Sequence, residues 1–360
     1  MDLDLSEEQE MLREMVRGVC STYASLATLR ELEDDPVGFP DEFWKQLGAL
    51  DLLGLMIPAQ YGGSEMSLLE GAVVYQEFGR ALAPSPHFVS SVMSAGVLLA
   101  AGTEDQKNEW LPKIVSGETI LSTAWLEPGN AFGERGVQAR VVDGRISGTK
   151  WHVPYAKSAT RLVVLARVND SEIGLFLVDP AECELEQQLT IGSDAQYAVT
   201  MNGVAGERIG TADWQTWNDV MLDGIVLLAA QAVGGAQYAL EITVQYAKDR
   251  EQFDKPLGAF QALAHYLADA ATAVDGAETL MYEAAWAKAN GRSTEQLAPM
   301  AKLFACKTFR DVTATAQQIF GGVGFTVEYD IQLYFRRAKQ LQISWWDDRV
   351  LEERIAAAVL

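Results

Sequence analysis

The hydrophobic period of this chain changes twice, and no other feature restricts its possible folds as much. Through about residue 118 the apolar residues recur at helical spacing. Ser6 with Gln9 three residues on predicts a capping box ahead of a Met11, Met15, Val16, Val19 stripe. Phe39-Pro40-Asp41 opens a second helix, with Trp44, Leu47, Leu50 and Leu53 in register. Further helices are expected over Leu68 to Leu82, Val89 to Ala101, and Glu104 to Ile114, the last ended by Gly117. From Ser122 to about Val220 the period becomes two. Residues 138–142, 145–150, 161–167 and 173–178 read as strands, punctuated by Asp143-Gly144 and Asn169-Asp170 as hairpin turns. From about Leu222 the pattern is helical again, over Ala229 to Arg250, Phe260 to Asn290, Leu297 to Phe320 and Asp330 to Leu360. The order helical, β, helical predicts an α+β chain in three parts: residues 1–120, a small antiparallel sandwich or barrel over 121–220, and a helical part over 221–360.

Composition narrows the function. Lys and Arg number 28 against 50 Asp and Glu, a net charge of −22. Such a surface repels phosphate backbones and anionic membranes, which argues against nucleic-acid or membrane partners. Cys20, Cys183 and Cys306 are far apart, and His87, His152 and His265 do not cluster with them, so neither a disulfide framework nor a metal centre is expected. The start, MDLDLSEEQE, has no apolar core of the signal-peptide kind, and the apolar stretch Gly224 to Leu240 is interrupted by glutamines and glycines. It reads as a buried helix, and the cytoplasm is the expected compartment. Gly321-Gly322-Val323-Gly324 follows a helix rather than a strand, so it is no dinucleotide fingerprint. Alone it is a turn between helices, or a place where a ligand approaches the backbone closely.

Five segments, in order along the chain, carry a more specific signal. They are LGLMIPAQYGGSEMS (53–67), EPGNAF (127–132) with GTKWHVPYA (148–156), AVGGAQYALEITVQYAKDREQFDKPLGAFQ (232–261), and QQIFGGVGFTVEYDIQLYFRRAK (317–339). Together they resemble the acyl-CoA dehydrogenase family over the whole chain. That resemblance implies a helical N-terminal domain, a middle β-domain and a C-terminal four-helix bundle, with FAD between the β-domain of one subunit and the bundle of its neighbour. The reaction it implies is α,β-dehydrogenation of an acyl-CoA, in which a glutamate takes the α-proton and the flavin takes a β-hydride.

Carried over residue by residue, the resemblance divides the chain. Arg250, Gln252 and Phe253, then Phe260 and Gln261, then Gln318, Gly321 and Gly322 match the bundle residues that reach the diphosphate and adenosine of a neighbour's FAD. Arg suits a diphosphate through its bidentate geometry. The positions that serve a subunit's own flavin ring depart from the pattern. Leu126 and Phe132 stand where Thr and Ser are usual, and Pro154, with neither hydroxyl nor N–H, stands where a Thr is usual. His152, in the same motif, is able to stack on a flavin or to sit in a strand turn. Both places known for the catalytic glutamate lack it: Trp345 falls on one and Gly224 on the other, with Ile225 next to it where an Arg often contacts CoA. Asp347 and Asp348 are the nearby carboxylates, candidates for a substitute base or for a helix N-cap.

Three functions follow. The chain resembles the small, non-catalytic subunits of actinobacterial heteromeric steroid-CoA dehydrogenases, which implies a glutamate-bearing homologous partner in an α2β2 heterotetramer. It implies also an acyl-CoA at the partner's site and an electron acceptor such as electron-transfer flavoprotein. A homotetrameric flavoenzyme using Asp347 or another acid is the second reading, and a non-enzymatic scaffold of the same fold is the third.

Overall fold

The computed structural model describes residues 5–129 and 131–360. In chain order the elements are α1 (Glu7–Tyr23), α2 (Leu26–Glu31), α3 (Asp41–Ala49) and α4 (Leu68–Ala81). A π-helical segment, Phe88–Ser94, runs into α5 (Ala95–Ala101), and α6 (Glu104–Val115) follows. The strands β1 (Leu121–Ala124), β2 (Arg140–Val142), β3 (Arg145–Pro154), β4 (Arg161–Asn169), β5 (Glu172–Val178), β6 (Glu184–Gln188) and β7 (Gln196–Asp213) come next. Then come α7 (Trp214–Asp249), the short strands β8 (Glu251–Gln252) and β9 (Lys255–Pro256), α8 (Gln261–Ala289), α9 (Leu297–Phe320), α10 (Ile331–Ile343) and α11 (Asp348–Val359). These elements form two compact units. One comprises the chain to Leu26, Leu68–Ala83 and Ile225–Leu360, and the other comprises Ala27–Ser67 and Pro84–Gly224.

The β-rich unit is a closed sheet. Its strands run β4-β2-β3-β7-β5 and return from β5 to β4, with β1 added to β4 and β6 to β7. Closure removes the exposed edges that an open sheet would carry. The pairings β1–β4 and β2–β4 are parallel, so the barrel is mixed rather than purely antiparallel. Asp143 (φ 50°) and Gly144 (φ 74°) form the β2–β3 turn, matching the left-handed pair that a two-residue hairpin requires. At the β4–β5 hairpin Asn169 Oδ1 accepts from Ser171 N at 3.0 Å.

The helical unit begins with the expected capping box. Ser6 Oγ accepts from Gln9 N, and Gln9 Oε1 accepts from Ser6 N. The buried face of α1 is Leu12, Val16 and Cys20, one position off the expected stripe, and Met11 is 62% exposed. The buried helix expected from Gly224 starts ten residues earlier, at Trp214, and 78% of its most apolar window is buried. Gly79 of α4 and Gly234 of α7 lie against each other's backbone, at Gln231 and Gln76 respectively. Beside this crossing Gln76 donates to Gln237 Oε1 (2.8 Å) and Glu278 Oε1 (2.6 Å) and accepts from Tyr282 Oη (2.7 Å), tying α4 to α7 and α8. The single helix expected over Asp330 to Leu360 is two helices. Trp345 (φ 53°) and Trp346 (φ 72°) break it, a left-handed pair that β-carbon-bearing residues seldom adopt. The break is pinned from α9: fully buried Lys302 donates to Leu341 O at 3.1 Å and Trp346 O at 2.8 Å.

Candidate functional site

The end of α7 leads into the β8–β9 hairpin, whose two-residue turn is Phe253 (φ 52°) and Asp254 (φ 61°). Arg250 is held through its backbone, donating to Tyr246 O at 2.9 Å and accepting from Leu257 N at 2.8 Å, while its side chain is exposed. Phe253 is 87% exposed and meets Phe260 edge-on at 6.2 Å, and Lys255 Nζ lies 4.3 Å from the centre of the Phe260 ring. Apart from that edge-on contact, the ring stands in solvent on a left-handed turn.

The glycine cluster lies at the same end of the helices. Tyr246, one turn before Arg250, stacks on Phe320 at 4.1 Å with 15° between the planes, and Tyr329 packs edge-on against both rings. Phe320 ends α9, and Gly321 follows at φ 67°, ψ −143°, a region almost reserved for glycine. A β-carbon on Gly321 or Gly322 would meet no atom within 4 Å. The aromatic stack therefore gathers the two motifs of the predicted set at one end of the bundle. Arg250, Gln252, Phe253, Gln261, Gln318, Gly321 and Gly322 are exposed, and Phe260 is half-buried. A guanidinium, carboxamides, open glycine backbone and aromatic faces fit the diphosphate and adenosine part of FAD.

In the β-rich unit the EPGNAF and GTKWHVPYA segments are joined by an ion pair. Lys150 Nζ lies 2.6 Å from Glu127 Oε1, and both side chains are buried. Glu127 Oε1 also accepts from Gln138 N (2.9 Å) and Ala139 N (3.0 Å), so the carboxylate closes a loop. Burial pushes the Lys150 ammonium down to about 8, against the opposing pull of Glu127. Leu126 and Phe132 are buried, with Phe132 against Trp125 at 5.8 Å. Pro154 is buried and its carbonyl accepts from Ser122 Oγ. His152 is exposed at φ 53°, its Nδ1 3.1 Å from Gln196 Oε1. Asn130 of the first segment and residues 1–4 of the N-terminus lie outside the described residues.

At the two positions that the resemblance assigns to a catalytic glutamate stand Gly224 and Trp345. A β-carbon at Gly224 would stand 2.7 Å from Met93 Sδ and 3.2 Å from Phe88 Cζ, both on the π-helical segment. Trp345 is half-buried in the break between α10 and α11, beside Trp346, which is fully buried under Arg354 at 3.5 Å. Asp347 Oδ1 accepts from Val350 N at 3.1 Å as the N-cap of α11, and Asp348 Oδ2 accepts from Gln342 Nε2 at 2.6 Å. The carboxylates that sequence offered as substitute bases are thus engaged in holding the break. Sequence reasoning missed the Glu127–Lys150 pair, the Lys302 pin and the Phe88–Met93 filling. Only the first left a trace, a lysine inside a recognised motif.

This architecture, a helical N-terminal region, a β-barrel and C-terminal helices ending in an open aromatic and glycine surface, is that of the acyl-CoA dehydrogenases. The profile of the acyl-CoA dehydrogenase C-terminal domain matches residues 219–360, and that of the N-terminal domain matches residues 6–118. The chain belongs to this family of FAD-dependent flavoprotein oxidoreductases. It is similar to the acyl-CoA dehydrogenase IpdE2 of Mycolicibacterium smegmatis, 30% identical over 338 residues covering 93% of each chain. Among solved structures it is similar to the ChsE4–ChsE5 complex from Mycobacterium tuberculosis, with a TM-score of 0.90 and 28% identity over 100% of this chain and 99% of that one. The Tcur3481–Tcur3483 steroid acyl-CoA dehydrogenase has a TM-score of 0.89 and 30% identity, covering 98% of both chains.

Proposed function

We propose that this chain is the non-catalytic subunit of a heteromeric acyl-CoA dehydrogenase, acting on an acyl-CoA of the steroid side-chain class in an α2β2 assembly. A homologous partner carries the glutamate and the flavin-ring contacts. This chain contributes Arg250, Gln252, Phe253, Phe260, Gln261, Gln318, Gly321 and Gly322 to the partner's cofactor. In this reading residues 1–120, 121–220 and 221–360 are its helical, β and bundle domains. Electron-transfer flavoprotein or a similar acceptor takes the electrons, and the cytoplasm is the compartment.

The observation that carries the reading is how the two sets of positions sort. The residues that would reach a neighbour's FAD are open to solvent at one end of the bundle. Those that would serve this chain's own reaction are apolar, filled or engaged: Leu126, Phe132 and Pro154 are buried, Gly224 abuts Met93, and Asp347 caps a helix. Random loss would not separate positions by which subunit's flavin they touch. Among the similar structures, ChsE4–ChsE5 and Tcur3481–Tcur3483 are two-component assemblies and support the same reading. So does the start of α8, where Gln261, Ala262, Ala264, His265 and Tyr266 are all exposed.

FAD supplies the hydride acceptor of the dehydrogenation. The part of this chain is binding: Arg250 neutralises a diphosphate, and Phe253 and Phe260 offer aromatic faces to the adenosine. A charge-assisted hydrogen bond is typically worth about 1.5–3 kcal/mol, so Arg250→Ala is expected to weaken flavin binding roughly ten- to hundredfold. The test is to co-express the chain with a glutamate-bearing homologue and count flavin per heterodimer by absorbance. One flavin in the wild type, loss with Arg250→Ala and retention with Pro154→Ala are expected. Two flavins per heterodimer, or the reverse response of the variants, would overturn the reading.

A further inference from the structure

Gln317 precedes the glutamine that the family pattern marks. Gln318 is exposed, while Gln317 is 3% exposed, and neither its Oε1 nor its Nε2 has a hydrogen-bond partner. A β-carbon on Gly324 would stand 2.7 Å from Gln317 Oε1, so the amide lies against the inner side of the turn Gly321–Phe325. The outer side of that turn differs, because β-carbons on Gly321 and Gly322 would meet nothing within 4 Å. The turn is a strip of glycine backbone with open space outside and an unpaired amide inside. Its first N–H, that of Gly321, donates to the backbone carbonyl of Gln317 itself.

An unpaired buried amide is costly, and native folds carry few of them. Methionine or leucine would fill a similar volume without that cost. The cost is recovered if the amide finds a partner in a second arrangement of its surroundings. The neighbouring segment is suited to a second arrangement, because glycines change φ and ψ with little steric penalty.

We propose that Gln317 is a positioning residue for the glycine turn, its amide pairing with the turn's backbone when Gly321 and Gly322 close on the diphosphate of a dinucleotide held by the partner subunit. This inference rests on the reading of that surface given under Proposed function. Gln317 does not itself touch the ligand. The free chain carries the cost of the unpaired amide, and the loaded complex recovers it. A group satisfied only in the bound state strengthens binding by what it costs the free state.

That linkage gives the two states opposite responses to one substitution. In Gln317→Met the free subunit is expected to melt at a higher temperature than wild type. The same variant in the co-expressed complex is expected to bind FAD about three- to tenfold more weakly, the worth of one ordinary hydrogen bond. Flavin affinity is read by fluorescence titration of the stripped complex, and melting by calorimetry of the chain alone. Gln318→Ala is the contrast, weakening flavin binding with no rise in melting temperature. A Gln317→Met chain that melts at or below the wild-type temperature overturns the proposal, because the amide is then already satisfied in the free chain. Wild-type flavin affinity in Gln317→Met overturns it too, and leaves the reading of the surface standing. A wild-type complex without flavin overturns both. If Gln317→Met does not fold, Gln317→Leu is judged by the same criteria, and failure of both to fold counts against the proposal, which requires that an apolar side chain fit.

Discussion

Gly234→Ala is the substitution that most directly tests how the helical unit is held together. Alanine is favoured over glycine inside a helix by about 1 kcal/mol, so α7 considered alone would gain. The crossing with α4 decides the opposite sign. A β-carbon at Gly234 would fall on Gln76 O, with the Gln76 carbonyl carbon at 2.7 Å and Arg80 N at 3.0 Å. Carbon atoms pack at about 3.5–4.0 Å, so the two helices must part by about 1 Å. Forcing a packed interface open costs about 1–3 kcal/mol. The parting also draws Gln76 away from Gln237, Glu278 and Tyr282, three bonds of 2.6–2.8 Å each worth on the order of 1 kcal/mol when fully broken. With the propensity gain set against these, a net loss of about 3 kcal/mol is expected. At about 2–4 °C per kcal/mol, that is a fall of roughly 6–12 °C in the melting temperature of the helical unit, read by calorimetry. Gly18→Ala makes the same chemical change in α1, where a β-carbon would meet nothing within 4 Å. It should stabilise the protein by about 0.5–1 kcal/mol. If Gly234→Ala proves as stable as wild type, the close crossing is not required and the argument fails.

Two further outcomes are expected. His87 is wholly buried with Nε2 3.0 Å from Leu52 O, and burial pushes its imidazole from 6.5 down to about 4. The unfolded chain then binds the extra proton first as pH falls, so the contribution of His87 to stability is full above pH 6.5 and is lost progressively towards pH 4. That loss amounts to about 3 kcal/mol and should be missing from the urea-unfolding pH profile of His87→Gln. Asp347→Asn keeps a good N-cap and should leave stability within about 0.5 kcal/mol of wild type, whereas Asp347→Ala should cost about 1 kcal/mol. Neither should change flavin content or turnover of the complex, and loss of turnover in Asp347→Asn would restore that residue as a base.

The fold was legible wherever a local rule and the tertiary context agree. Ser6 and Gln9 cap α1 because the same residues satisfy the orphan amides in any setting, and Asp143-Gly144 turns the β2–β3 hairpin because its left-handed geometry suits that pair. Reading fails where a distant residue decides. Near Trp345 and Trp346 the one sequence sign of a new helix is the Asp347–Asp348 N-cap signal, and it does not say that two tryptophans turn left-handed ahead of it. Tryptophan pays a steric penalty at positive φ, and the penalty is met by Lys302, buried in α9, whose ammonium takes the Leu341 and Trp346 carbonyls. The early start of α7 at Trp214 has the same character. Its first turns are polar and aromatic rather than periodic, and Trp217, fully buried 5.5 Å from Trp125, supplies the burial that the pattern does not advertise.

The candidate site was legible in half for a related reason. Arg250, Phe253 and the glycine pair lie in contiguous sequence motifs and face outward, so sequence pattern alone picks them out. What fills an inward position is set by volume and by neighbours distant in sequence. Gly224 meets Met93 and Phe88 from a π-helical segment whose position no sequence rule anticipates. The Phe253 ring is the sharpest case of the contrast. It stands 87% exposed on a turn with two consecutive left-handed residues, so it costs this chain both strain and hydration. Under the proposed assembly a second subunit would cover Phe253, whereas Met93 and Phe88 pack within this chain's own core.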